Sequence, residues 1–407
     1  MRAGEEILFL AHRMPFPPDR GDKIRATHVL RHLASISPVH VATFAETRED
    51  WAQQATLGDC CASYCLAART KPLPLAGMQA LLTRKPVSLT AFSHPRLRRF
   101  IRKTLAERPI GAIYVFSGQM GQYVPRRFDG VVLADLVDVD SAKFEAYAAQ
   151  RAGLGAKAYL REAKLLSQEE ERIIRRADRT LLISDAEAAL MQQRIAPDLA
   201  PKLSVMGNGI NAAFFNPEIV SAHDEIAAAP GPHCVFTGQM DYPPNIAAVT
   251  RVVERILPAL RDTYPDAQFH IVGRAPTSEV TALGQQAGCR VWGAVPDMRP
   301  YLKAADLVLA PLTIARGVQN KVLEAMAMAR AVLVSPEAAT GIPAKPGRDF
   351  LVGQDDDALI SAALEVFADR QAASQLGAAA RAFVQQEMSW SAKLSNLSSW
   401  LEKRNAA

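Results

Sequence analysis

The stretch IARGVQNKVLEAMAMARAVLVS, Ile314 to Ser335, reads as a loop, an amphipathic helix and a short buried strand. Arg316 and Lys321 place positive charge in the loop and the first turn. Glu324 follows Lys321 at i+3, so the two share one helix face. Free N–H groups at a helix start attract anions. Lysine and arginine side chains add charge for phosphate oxygens, and a carboxylate behind them can accept two vicinal hydroxyls. The combination suits a nucleoside diphosphate with its ribose. The alternative is an ordinary capped helix with a surface Lys–Glu pair.

The same alternation extends outward in both directions. Upstream, Glu6–Ala11, Val39–Phe44, Ala112–Phe116, Val131–Asp135 and Thr180–Ser184 read as short apolar strands. Between them come helices at Lys23–Ser35 and Leu97–Ala106, and a long helical stretch from about Ala142 to Ala177. The pattern restarts with strands at His233–Gly238, Gln268–Gly273, Arg290–Trp292, Asp306–Ala310 and Ala331–Val334. A helix at Asn245–Leu260 follows Pro243-Pro244, which suits a helix start. Short apolar strands separated by helices argue for parallel sheets covered on both faces. The expected fold is α/β, with two Rossmann-like doubly wound domains facing a central cleft. Residues 1–202 would form the first domain and 203–387 the second, with 388–407 crossing back to the first. Ala196–Pro201, with a strand Lys202–Met206, reads as the linker.

A chain of 407 residues fits two domains of ordinary size. Its 49% hydrophobic and 22% charged residues are those of a globular protein, not of a disordered or fibrous one. No apolar run reaches the ~18 residues that cross a bilayer, and His12 and Arg13 break the only one near the N-terminus, which reads as a strand. Five cysteines give no disulfide framework, and Cys60, Cys61 and Cys65 lack a second cluster for a metal. A reducing cytoplasm is the expected location. Residues 1–205 carry 30 Lys+Arg against 22 Asp+Glu, whereas the remainder carries 17 against 20. Nine basic residues and no acid lie between Asp59 and Glu107, densest at Arg96, Arg98, Arg99, Arg102 and Lys103. Such a segment can face an anionic membrane, here the inner leaflet, or be a solvated helix face. No nucleic-acid motif accompanies it.

The run Glu324-Ala325-Met326-Ala327-Met328-Ala329-Arg330-Ala331-Val332 resembles the donor motif of retaining GT-B glycosyltransferases of family 4. That motif is Glu, seven residues, Glu, then Ala-x-Ala-x-Gly-x-Pro-Val. Arg316 stands where the family has its first Glu. Gln319-Asn320-Lys321-Val322-Leu323-Glu324 is similar to a subgroup linked to bacterial exopolysaccharide assembly. Gly207-Asn208-Gly209-Ile210-Asn211 with Phe214-Phe215-Asn216-Pro217 resembles the family's hinge signature. Phe236-Thr237-Gly238, Ile271-Val272-Gly273 and Trp292-Gly293 keep the family's order.

The resemblance implies a transferase taking a UDP- or GDP-sugar to a saccharide or polyprenyl-linked acceptor, with no bound metal and no nucleic-acid partner. It implies Glu324 on ribose, Lys321 and Arg316 on phosphate, Asn320 beside them and Gly238 as a close backbone approach. It puts the Ala294–Asp297 loop, with Val295, near the base. Gly21 is what remains of a Gly-rich loop after the first strand. Asp135, Asp138 and Asp140 cluster after a strand; Asp138 is the expected acceptor-hydroxyl contact, and Asp140 or Ser141 a helix cap. His12 and His94 have no evident partner and read as structural. Two rivals remain: a UDP-sugar 2-epimerase, which would need a histidine near the donor, and a non-catalytic sugar-nucleotide-binding subunit.

Overall fold

The computed structural model describes residues 2, 4–315 and 317–402. The chain divides into two compact units, Met1–Asn208 with Lys393–Ala407, and Gly209–Ala392. Each is built on one sheet of parallel strands.

The first sheet contains β1 (Glu6–Ala11), β2 (Val39–Ala45), β3 (Ser63–Ala68), β4 (Ile110–Phe116), β5 (Val131–Val137), β6 (Arg179–Leu182) and β7 (Leu203–Val205), in the order β3-β2-β1-β4-β5-β6-β7. Parallel pairing runs in register, Ile7 with Val39 and Ala112 on either side. The second contains β8 (His233–Thr237), β9 (Gln268–Val272), β10 (Cys289–Gly293), β11 (Leu307–Ala310), β12 (Ala331–Val334) and β13 (Leu351–Val352), in the order β10-β9-β8-β11-β12-β13. Parallel strands need long crossovers, and these are helical here. Strand order therefore reverses between β1 and β4, and again between β8 and β11. At such switch points the loops leave the carboxyl ends of adjacent strands in opposite directions and open a crevice. Central strands are buried on both sides, as Leu307–Ala310 and Ala331–Val334 are along their whole length.

Several local expectations change. Residues Ser63–Ala68 form a strand that the weakly apolar sequence SYCLAA hides. The long helix is two, Asp140–Ala149 and Gly153–Arg176, because Gly153 turns the chain at φ +65°. The helix after β8 starts at Pro243, and a π-turn at Val252–Ile256 interrupts it. Pro258 follows that turn and has no N–H for the ordinary ladder. Leu203–Val205 pairs with β6 and so belongs to the first sheet.

The first unit holds a buried polar network. Arg25, 1% exposed, donates from Nε and Nη2 to the two oxygens of Asp135, at 2.8 and 3.0 Å. Asp135 also accepts from Tyr114 Oη at 2.8 Å, and Arg25 Nη1 reaches Asn208 Oδ1 at 3.1 Å. This separates Asp135 from the expected carboxylate cluster. It is a core ion-pair partner, whereas Asp138 and Asp140 share Lys143 at 2.7 and 3.4 Å. Neither Asp140 nor Ser141 caps the Asp140–Ala149 helix; Glu170, from the next helix, accepts from Ser141 N–H at 2.9 Å. Removing one member of a buried pair strands the other charge, at a cost of ~3–5 kcal/mol, whereas an apolar replacement of both is near neutral. Chemical denaturation should show Asp135→Ala far less stable than the double variant Arg25→Met, Asp135→Leu. Equal loss in both would mean that packing, not charge, dominates there.

Candidate functional site

The switch point of the second sheet is shaped by glycine. Gly238 follows β8, Gly273 follows β9, and Gly293 ends β10 at φ +70°. Gly238 N–H donates to the Val272 carbonyl and Gly273 N–H to the Gly293 carbonyl, at 3.1 and 2.9 Å. A Cβ on Gly273 would lie 1.6 Å from the Gly238 carbonyl oxygen. One on Gly238 would lie 2.8 Å from Asn245 Nδ2 and 3.1 Å from Lys321 Nζ. The backbone is bare here because side chains from neighbouring elements fill the space in front of it.

Lys321 lies in the first turn of the helix Asn320–Ala327, which buries Val322, Leu323, Ala325, Met326 and Ala327. That apolar face fixes where the polar face points. Lys321 Nζ donates to Asn245 Oδ1 and lies 4.3 Å from the centre of the Phe236 ring. Asn245 in turn donates to the Gln239 carbonyl at 2.8 Å. Among the described residues, Lys321 forms no ion pair with a carboxylate and Glu324 accepts no hydrogen bond. Both feel the burial. Desolvation pushes the Glu324 carboxyl up to about 7, with Lys321 opposing. Desolvation also pulls the Lys321 ammonium down to about 8, with Glu324 opposing. Two half-satisfied groups of opposite sign thus stand one turn apart beside a bare backbone. Such an arrangement can take a ligand that brings both an anion and hydroxyl donors.

The structure brings together three of the expected site residues: Lys321, Glu324 and Gly238. Asn320 is exposed at the helix start, and Val295 is half-buried against the core two residues after Gly293. Arg316 lies outside the described residues. In the first unit, Gly21 begins the helix Gly21–Ile36 with open space around it, and Asp138 faces Lys143. His12 stacks on Phe116 and has Asp22 at 3.6 Å, while His94 accepts from Arg96 N–H and caps the helix that follows. Asn245 and Phe236 were not anticipated as site residues, although Pro-Pro-Asn at a helix start and Phe two residues before Gly238 were both legible.

Other features of the second unit are set apart from these residues. His233 and His270 lie 3.1 Å apart in the core. An open depression of about 800 Å³ is lined by Arg251, Glu254, Arg255, Glu279 and Asp356 among others, and contains none of Lys321, Glu324 or Gly238. Among the described residues no group of three His, Cys, Asp or Glu side chains is placed to hold a metal ion.

Comparison with known proteins bears on the second unit and on the fold. Residues 231–369, which span the glycine rim and the Lys321 helix, match the family described as glycosyl transferases group 1. No curated protein shows significant similarity to the chain. Its fold is similar to that of Anabaena Alr3699/HepE in complex with UDP, at 14% identity over 97% of this chain and 99% of that one, with a TM-score of 0.62. It is also similar to a glycosyltransferase from Rickettsia africae, at 12% identity over all of both chains and a TM-score of 0.61. A third similar structure is sucrose-phosphate synthase from Thermosynechococcus elongatus, at 18% identity over 97% and 98% and a TM-score of 0.56.

Gly273→Ala tests the rim directly. Its Cβ would meet backbone, which cannot swing aside, so the second unit should unfold at a lower temperature in a thermal melt. A Gly21→Ala control, with open space at the site, should melt within about 0.5 kcal/mol of the parent, as surface changes do.

Proposed function

We propose that this chain, a glycosyltransferase with the GT-B fold, holds a nucleoside-diphosphate sugar on its second unit and transfers the sugar to a hydroxyl of a saccharide. The observation that carries this reading is the Lys321–Glu324 pair at the switch point, each group half-buried and the two not in contact as an ion pair. Lys321 would meet the diphosphate and Glu324 the ribose hydroxyls, with the Gly238 backbone close to the phosphates. HepE, of similar fold, is seen with UDP and with UDP-glucose, which supports a uridine or similar donor.

Negative charge grows on the leaving diphosphate as the glycosidic bond breaks. A fixed ammonium beside it is worth more in the transition state than in the ground state. Arg316 would add a second positive charge, and Asn320 a polar contact at the helix start. Val295 would lie near the base, which follows from the resemblance alone. On the first unit, Asp138 and the helix start at Gly21 would contact the acceptor. Retention of configuration, and a role in exopolysaccharide or other surface-glycan assembly, rest likewise on the resemblance. The basic residues Arg96, Arg99, Arg102 and Lys103 support a lipid-linked acceptor met at an anionic membrane. Arg98 does not belong with them, since it is spent on Ser93, Gln122 and the Tyr123 ring.

A carboxylate hydrogen bond to ribose contributes ~1.5–3 kcal/mol. Glu324→Gln should therefore weaken UDP binding by about 10-fold or more, measured by calorimetry. Unchanged affinity in a folded variant would remove Glu324 from the site.

The pH dependence follows from Lys321. Its value in the free protein is about 8, and a bound diphosphate raises it, so binding takes up a proton above that pH. UDP affinity should fall about 10-fold for each unit that pH rises beyond 8. Lys321→Arg should abolish this slope, because arginine stays charged. Lys321→Ala should lower kcat about 100-fold, as for comparable electrostatic groups. A slope that survives Lys321→Arg would assign the proton elsewhere.

A further inference from the structure

The helix Leu73–Thr83 in the first unit is inside out. It buries Ala76 and Ala80 completely, whereas Leu73, Leu75, Met78, Leu81 and Leu82 are 66, 52, 57, 66 and 80% exposed. An ordinary surface helix places its large apolar residues on the core side. This one is held to the body by small side chains and polar tethers. Thr90 Oγ donates to the Ala76 carbonyl at 2.8 Å, and Arg161 donates to the Ala80 carbonyl at 2.9 Å. Lys71, just before the helix, donates to Gln79 Oε1 at 3.0 Å and to the Thr90 and Ser93 carbonyls at 2.7 and 3.0 Å. Polar groups fix the helix, and Leu75, Met78, Leu81 and Leu82 stand largely in the open.

Isolated surface leucines are common, but five on an 11-residue helix form a patch that calls for a partner. The charge around it says which. Arg84 and Lys85 end the helix and are both exposed. No acidic residue occurs from Cys60 to Leu105. On the neighbouring helix, Glu162 is consumed in capping Val87 and Ser88, at 2.7 and 2.8 Å, while Lys157 and Lys164 are exposed. Leu160, beside Arg161, is 53% exposed and extends the apolar character. Leu73 also lines a recess of about 440 Å³ walled by Phe92, Phe144 and Tyr159. An apolar ridge bordered by cations that form no ion pair among the described residues matches a surface of hydrocarbon beneath anionic headgroups.

We propose that the Leu73–Thr83 helix is a membrane-docking element, which lies in the interface of an anionic bilayer with Leu75, Met78, Leu81 and Leu82 among the acyl chains. The basic residues of Pro95–Glu107 alone would give adsorption that salt reverses. The leucine ridge adds insertion that salt does not reverse. This deepens the reading of a lipid-linked acceptor given above, while its evidence lies wholly in the first unit and apart from the donor site.

Flotation with vesicles of phosphatidylglycerol mixed with phosphatidylcholine, and of phosphatidylcholine alone, tests the proposal. The parent protein should float with the anionic vesicles and retain part of that binding in high salt. The triple variant Leu75→Gln, Leu81→Gln, Leu82→Gln changes only exposed side chains, and its binding should drop about 10-fold or more. Arg84→Glu with Lys85→Glu should weaken the salt-sensitive part and leave the salt-resistant part in place. A fluorophore placed by Met78→Trp should be quenched by lipids brominated along the acyl chain. UDP affinity of every variant should equal that of the parent, so a failure of docking and a failure of the donor site are read separately. Equal flotation of the parent and triple variant overturns the proposal. So does absence of vesicle binding with a concentration-dependent dimer that the triple variant abolishes, which would make a second copy of the chain the occupant.

Discussion

Parallel pairing is the constraint from which the other features follow. Because β8 and β11 run the same way, the connection after each must leave at the carboxyl edge and return through a helix. That geometry places Gly238 and the approach to the Asn320–Ala327 helix at one edge of the second sheet. It also forces close backbone contact there. Gly238 and Gly273 are so near that a single methyl group on the latter has no room. The rim is thus a steric consequence of the fold before it is a chemical feature: its N–H groups are spent on neighbouring carbonyls, and the missing side chains leave room for Asn245 and Lys321 in front of it.

The Lys321–Glu324 pair shows a second general point. Ion pairs in the body of this protein are made with contact geometry: Arg25 with Asp135, and Lys23 with Asp50 at 2.7 Å. Lys321 and Glu324 are partly withdrawn from water, yet they form no such pair. Burial without pairing opposes ionisation of both. The carboxyl, raised above its ordinary value, favours the folded state most at low pH and loses that effect as pH rises through 7. The ammonium, lowered to about 8, regains its effect only as pH rises through that value. Between 7 and 8 the empty site is therefore at its least favourable, and a ligand that completes both groups has most to contribute there.

Much of this was legible in the chain. Apolar runs of four to seven residues marked most strands, and the i, i+3 spacing of Lys321 and Glu324 put them on one face. What stayed hidden depended on juxtaposition. Asn245 is a helix-start residue until β8 and the Pro243–Arg251 helix bring it under Lys321. Asp135 sits two residues from Val137, which a positive φ of 70° turns aside, so the triplet of carboxylates splits into a core member and two outer ones. Arg98 looks like one more cation in a basic run, but Gln122 and Tyr123 claim it. The leucines of Leu73–Thr83 look like core, and only the tethers from Thr90, Lys71 and Arg161 decide that the alanines face inward.

The last helix among the described residues, Leu397–Leu401, has a bearing on how the molecule is made. Leu397 and Leu401 are buried, Arg179 lies over the Trp400 ring at 5.3 Å, and this segment belongs to the first unit although the whole second unit precedes it in the chain. Domains commonly fold in turn as they leave the ribosome, the N-terminal one first. Here the first unit lacks part of its packing until Leu397 and Leu401 have been synthesised. A segment that follows the second unit thus completes the packing of the first, and during translation β5 of the seven-stranded sheet lacks that cover until the second unit has been made.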